Sequence, residues 1–455
     1  MAGIGFEIRK ILKRKSFLSL LQAYGYAGII SSGPWVLSIL SVLLIGILAQ
    51  VVSNKDQSVM QFLVAVTYLM AASLILTGAI QLLFTRFVAD QIYANREDRV
   101  IPNLHGAILL TTLVAAGLGG LLATFVFDES FAIEAALLVN FIVLCDLWIV
   151  MIFLSSMKVY NQILLLFFIG YGLAVLTAVP LSVFGVPGML IGMLIGHSFL
   201  FFSFFYLVLR NYPGESFLRF DFLKRDKVVL RLAATGFFFN FAVWIDKLQF
   251  WYTDHTSVAV LGPMRASVIY DLPIFLAYLS IIPGMAVFLV RMEADFAEKY
   301  HQFYDAIRSG DTLQHIRLFK GQMVYTARQG IYEVLKVQGI TVAVLLLWGH
   351  DLLAFIGIST LYTPLFAIDV VAVSMQVLLL SILNVLFYLD SRNSALGICV
   401  IYWLLNGLLT GISIKMGASF YGYGFALANT LSIIVGLYLL NRKFNRLEFE
   451  TFMLR

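Results

Sequence analysis

Apolar runs dominate the chain, and their length is what first narrows its class. Twelve of them recur, at roughly 25–51, 60–86, 102–127, 131–157, 160–183, 187–209, 230–253, 267–290, 329–349, 367–390, 394–415 and 421–441. A bilayer core about 30 Å thick takes roughly 20 mostly apolar residues per helix, so each run is long enough to cross it. The runs do not alternate apolar and polar residues as barrel strands do. Inside lipid every backbone polar group must be paired within its own segment. The pattern therefore predicts an all-α membrane protein with twelve transmembrane helices.

The polar intervals organise these spans. The largest among the first six connections, 210–229, divides the chain into 1–210 and 211–455, with six spans on each side. Each half opens on a basic amphipathic stretch, FEIRKILKRKSFLSLL at 6–21 and FLRFDFLKRDKVVLRL at 217–232. Two six-helix lobes, each led by an interfacial helix and enclosing a central cavity, follow from such a parallel repeat. A long interval at 291–328 reads as a helical hairpin at the membrane surface. In it Phe296, Tyr300, Phe303 and Ile307 share one helical face, and Ser309-Gly310-Asp311 makes the turn. That face suits either an interfacial support or a docking surface for a cytoplasmic partner.

Gly33-Pro34 in the first span, and Pro273 and Pro283-Gly284 in the eighth, are candidate helix breaks, since proline removes an amide donor. Each is either a static kink or a moving part. Gly188, Gly192 and Gly196 form a double GxxxG ladder in the sixth span, and Gly407 and Gly411 repeat the spacing in the eleventh, which allows close helix approach.

Composition agrees. Of the 455 residues 61% are hydrophobic and 13% charged, and the mean hydropathy is +0.91. Soluble domains carry about 25% charged residues, so an ordinary soluble enzyme is excluded, as is disorder. Charge sets the orientation. Of the 31 Lys and Arg, 26 fall at the amino terminus, in the even-numbered connections or at the carboxyl terminus, three fall on the opposite side, and Lys247 and Lys336 lie inside spans. The positive-inside rule then places both termini in the cytoplasm. The basic amino terminus leads into a full-length span, so no cleavable signal is expected. The two cysteines, Cys145 and Cys399, sit in apolar runs, too few for a disulfide framework or a zinc site.

Ionisable residues within spans are costly and mark candidate function. Asp146 lies in span 4, Asp246 and Lys247 in the outer half of span 7, and Asp271 at the start of span 8. Adjacent helical residues point about 100° apart, so Asp246 and Lys247 are not expected to form one local pair. Lys247 shares a face with Asn240, Trp244, Trp251 and Asp254, and that mixture of polar groups and indoles suits sugar. The competing reading is a buried ion pair that fixes packing. Glu333 and Lys336, three residues apart, can pair along one helix face. There is no GxxxxGK[ST], DxD, HExxH or Cys/His cluster. A transporter without its own catalysis, cofactor or metal is expected, driven by an ion gradient or by polymer growth elsewhere. Nothing points to nucleic acid.

Four stretches are more specific: MAGIGFEIRKILKRKSF with AYGYAGIISSGPWVLSI, FNFAVWIDKLQFW, YDLPIFLAYLSIIPGMAVFLVRMEADFAEKYHQFY, and TPLFAIDVVAVSMQVLLLSILNVLFYLD. They resemble the Pel exopolysaccharide inner-membrane export family, PelG, within the multidrug/oligosaccharidyl-lipid/polysaccharide (MOP) flippase superfamily. The resemblance implies twelve helices in two lobes, multi-pass residence in the bacterial inner membrane, and translocation of a growing Pel polysaccharide for the biofilm matrix. It implies three protein partners: a cytoplasmic glycosyltransferase, a cyclic-di-GMP-sensing membrane protein and a membrane-anchored repeat protein. Asp246, Lys247, Trp251, Asp271, Pro273, Pro283, Gly284, Arg291 and Glu293 fall within these motifs, and the resemblance carries no catalytic role onto them. A lipid-linked oligosaccharide flippase working by alternating access, and a membrane scaffold for the synthase, are the competing readings.

Overall fold

The computed structural model describes residues 16–53, 56–155, 160–214, 216–224 and 230–453. It is almost wholly helical. Six long helices come first: α1 Phe17–Ser53, α2 Asp56–Tyr93, α3 Val100–Phe125, α4 Phe131–Met151, α5 Tyr160–Leu181 and α6 Val186–Asn211. Then come α7 Leu230–Trp251, a two-stranded hairpin of β1 Val258–Leu261 and β2 Met264–Ala266, and the short helices α8 Asp271–Tyr278 and α9 Ile282–Phe288. The chain continues through α10 Ala297–Arg308, α11 Leu313–Ile356, α12 Thr363–Tyr388, α13 Arg392–Met416 and α14 Tyr423–Met453.

Among the described residues eleven helical segments are long and apolar enough to cross a membrane. The predicted seventh span, α7, is not one of them. It is a 22-residue helix, about 33 Å long at 1.5 Å per residue, and Asp246 and Lys247 interrupt its apolar character.

Contacts group the described residues into two compact units. One holds the chain up to Gly33, Ile245–Gln249 and everything from Ile269; the other holds Pro34–Trp244 and Phe250–Val268. Thus α1 is helical without interruption through Gly33-Pro34, while that dipeptide is where the chain passes from one unit to the other.

In the second unit the glycine ladder sets the tightest packing. A Cβ built on Gly192 would stand 2.3 Å from the Ala178 backbone, and one on Gly196 2.6 Å from the Ala174 Cβ. Hence α5 and α6 approach backbone to backbone, as small residues permit. Gly78 of α2 and Gly236 of α7 do the same, with a Gly236 Cβ only 2.0 Å from the Gly78 carbonyl oxygen.

One expected helical feature differs. Residues 217–224 form no leading helix: they hold only a tight turn at Asp221–Leu223. Partners outside the segment fix it in that shape. The Asn103 side chain accepts from the Asp221 amide at 2.6 Å and the Pro102 carbonyl accepts from the Arg219 amide at 2.9 Å. Residues 225–229, and residues 6–15 of the first amphipathic stretch, lie outside the described residues. The short connection between the seventh and eighth spans contains the β-hairpin. The Tyr68 hydroxyl holds it by bonding both the carbonyl and the amide of Arg265, at 3.0 and 3.1 Å.

In the first unit the eighth span is segmented. A tight 3-10 turn at Leu279–Ile281 precedes Pro283-Gly284, and a widened π turn at Leu289–Phe296 follows α9. Pro273 lies within α8, buried. After the turn at Gly310, Thr312 caps α11, a 44-residue helix about 66 Å long.

The aromatic face read as either an interfacial support or a docking surface for a cytoplasmic partner is turned inward. Phe296 and Phe303 are fully buried, and Phe296 and Tyr300 meet the Tyr388 ring edge-on at 5.5 and 5.4 Å. Together with half-buried Ile307 this face packs on its own unit, because apolar rings gain more there than in water. It is not a free docking surface.

Candidate functional site

Near its carboxyl end α7 carries Asp246 and Lys247 into the interior of the first unit, 0% and 1% exposed. They do pair, against the expectation: Lys247 Nζ lies 2.9 Å from Asp246 Oδ2 and 3.2 Å from Oδ1. The helical offset separates the Cα–Cβ bonds, but the four-carbon lysyl stem curls back across it. Both side chains also reach neighbouring elements. The Tyr270 hydroxyl donates to Asp246 Oδ2 at 2.7 Å, and Asn406 Nδ2 of α13 approaches Oδ1 at 3.4 Å. The Lys247 ammonium lies 5.2 Å from the centre of the Tyr278 ring and 4.9 Å from that of Phe425, the geometry of a cation–π contact. Tyr278 in turn donates to Gln376 of α12 at 3.0 Å, and Thr410 donates to the Asn406 amide oxygen at 3.1 Å.

Asp369 of α12 completes the cluster. It is fully buried, close enough that the charges of both Lys247 and Asp246 act on it. Neither of its carboxylate oxygens has a hydrogen-bond partner among the described residues. Gly422 lies against it, with φ +82°, and a Cβ there would fall 2.9 Å from Asp369 Oδ1. A second carboxylate, with no hydrogen-bond partner among the described residues, is thus buried within electrostatic reach of the Asp246–Lys247 pair. A buried charge left uncompensated costs several kcal/mol, so an ionised Asp369 here would call for a further positive charge.

The remaining sequence candidates are distributed. Asn240 is half-buried and donates to the Gly236 carbonyl at 3.0 Å. Trp244 and Trp251 are buried. Trp251 stacks on Tyr68 at 4.5 Å between ring centres and meets Trp244 at 6.2 Å. Asp254 does not continue the stripe, because α7 ends at Trp251. Its side chain is 99% exposed, 3.4 Å from Arg265. Asp271 opens α8, half-buried. Asp146 belongs to the other unit. It is buried and accepts from the Thr112 hydroxyl at 2.7 Å. Glu333 and Lys336 do not pair: Arg291 bonds both Glu333 and Asp295, and the Lys336 ammonium sits over the Tyr332 ring at 4.3 Å. The guanidinium fork engages two carboxylates at once and outcompetes the more distant ammonium.

Sequence reading passed over Tyr270, Tyr278, Asp369, Gln376 and Asn406. The signal for Asp369 was present, since it is an acidic residue inside the apolar run 367–390, flagged by the same rule as Asp146. The tyrosines and amides carry no such mark, because span-end tyrosines ordinarily anchor at interfaces.

Solved structures share this helical arrangement. An outward-facing multidrug-resistance MATE family transporter of the MOP superfamily matches with a TM-score of 0.65 at 13% identity, covering 93% of this chain and 96% of that one. A MATE structure in the bent conformation gives a TM-score of 0.65 at 13% identity over 98% and 97% of the two chains. A MOP superfamily transporter from Pyrococcus furiosus gives 0.61 at 13% identity over 93% and 96%. The chain has the fold of these structures, and its many long apolar helices make it a multi-pass membrane protein. No curated protein matches. Residues 1–452 match the family PelG, described as "Putative exopolysaccharide Exporter (EPS-E)", and the chain belongs to that family.

Proposed function

We propose that this protein is the inner-membrane translocation subunit for a Pel-type exopolysaccharide, moving polymer made by a cytoplasmic glycosyltransferase toward the biofilm matrix. In this reading α7 also crosses the bilayer and brings the spans to twelve, the helices form two six-helix lobes, and the basic termini lie in the cytoplasm. A cyclic-di-GMP-sensing membrane protein and a membrane-anchored repeat protein complete the assembly.

The observation that carries the mechanism is the cluster of Asp246, Lys247 and Asp369. Its residues come from α7 and α12, with hydrogen bonds from the Tyr270 hydroxyl and α13. A proton or alkali cation balances its charge, and loss of that cation weakens the contacts that hold these elements together. Entry and exit of the ion therefore bias two arrangements of the helices, which is how an ion gradient does work on a bilayer-crossing path. The cluster acts as the coupling point. Sugar contact falls to other surfaces, because Trp244, Asp246, Lys247 and Trp251 are all enclosed by protein.

The test is reconstitution with the glycosyltransferase in sealed vesicles. Polymer protected inside the vesicles should require this chain and should fall about tenfold in Asp369→Asn, a loss of about 1.4 kcal/mol of coupling. Equal protection without the chain would refute the translocation role. Undiminished transport in Asp369→Asn would remove the cluster from coupling.

A further inference from the structure

A groove of about 540 Å³ opens on the first unit between α1, α9 and α11, within the size range of ligand pockets. Its body is apolar: Gly25, Gly28, Ile282, Ala286 and Val337 line it. Nothing stands within 4 Å of where a Gly25 Cβ would point, so the groove is open because that side chain is missing. One end is charged and ordered in a particular way. Glu333 and Lys336 both line the groove. Arg291 bonds Glu333 and Asp295 together and hydrogen-bonds Tyr24, and the neutral Gln329 amide donates to the other Glu333 oxygen at 3.0 Å, so two carboxylates share one guanidinium and this trio carries one surplus negative charge. One turn further along α11, Lys336 is exposed, with an aromatic ring rather than a carboxylate beside its ammonium. Val337 and the apolar body follow.

We infer that this groove binds a zwitterionic membrane phospholipid of the ethanolamine type, its phosphate on Lys336, its ammonium at the Glu333 carboxylate, and an acyl chain along Gly25 and Gly28. The order along α11, carboxylate then ammonium then apolar wall, matches the order of such a lipid from its headgroup amine through phosphate to tail. An anionic lipid without an amine leaves the surplus carboxylate unanswered, and a free phosphate leaves the apolar body empty. The inference requires only that the chain sits in a bilayer, so failure of the export assay leaves it standing.

The full chain, purified in mild detergent from cells and then exchanged into nanodiscs of mixed ethanolamine and glycerol phospholipids, tests it by native mass spectrometry of retained lipid. The wild type should retain ethanolamine lipid in excess of its share of the disc. Lys336→Gln should bind it about tenfold more weakly, the loss of one charge-assisted contact, and Lys336→Arg should restore it. Gly25→Leu should abolish retention by filling the groove. A Cβ here meets open space, and the variant's thermal unfolding should match the wild type. Retained lipid that mirrors the disc composition overturns the inference, as does a preference for the glycerol lipid, retention unchanged in both variants, or recovery of a prenyl-linked saccharide in place of phospholipid.

Discussion

Replacing Lys247 by Met removes the one cation from a site with two carboxylates. At 2.9 Å from Asp246, and with an effective dielectric of about 20, the direct attraction is about 6 kcal/mol by Coulomb's law. Much of it offsets the cost of drying the two ions, so breaking such a pair by removing one partner costs about 3–5 kcal/mol. Asp246→Asn should cost distinctly less. It leaves Lys247 opposite Asp369, a neutral pair, whereas Lys247→Met leaves Asp246 and Asp369 facing each other with no cation between them. The double replacement should recover much of the loss, since it leaves one carboxylate free to take a proton. Thermal inactivation in one detergent, followed by the indole fluorescence of Trp244 and Trp251, ranks the four proteins. The ranking is used because such unfolding is a rate measurement. Equal losses in the two single variants, or a smaller loss in Lys247→Met, would refute the claim that Asp369 shares this ammonium.

Gly192→Ala should destabilise by about 1–3 kcal/mol through overpacking, because its methyl would stand 2.3 Å from the Ala178 backbone. Gly172→Ala on α5, which meets nothing within 4 Å, should instead stabilise by about 0.5–1 kcal/mol, and a thermal shift assay separates them. Phe303→Ala should cost about 3–5 kcal/mol if that aromatic face is core, and an unchanged midpoint would return the face to solvent. Asp221 lies outside the spans, and its bond from Lys224, together with that from Asn103, holds its carboxyl below the ordinary 3.8. The folded form therefore binds this proton later than the unfolded form, so the contribution is complete above the unfolded value and fades as pH falls to the folded one. Asp221→Asn should flatten the acid limb of the stability profile, measured as midpoint against pH.

Hydropathy and charge decided a great deal by themselves. Each apolar run had to become a helix, because lipid offers no partner for a free amide, and the Gly188–Gly192–Gly196 spacing had to bring two helices close, because nothing projects from that face. Tertiary structure decided what periodicity cannot see. The Lys247 stem curls back to its own neighbour because rotamers, not the 100° step, set where an ammonium ends. Arg291 takes Glu333 from Lys336 because a residue 42 positions away in sequence arrives with a better-shaped donor. Asn103 holds residues 217–224 out of a helix, and Phe303 faces inward, for the same reason: the winning partner lies on another element. Asp369 was visible as a misplaced charge, but only the fold buried it within electrostatic reach of Asp246 and Lys247. Long-range partners were therefore beyond reach of a one-dimensional reading, while the obligations of the solvent, here a bilayer, were written along the chain.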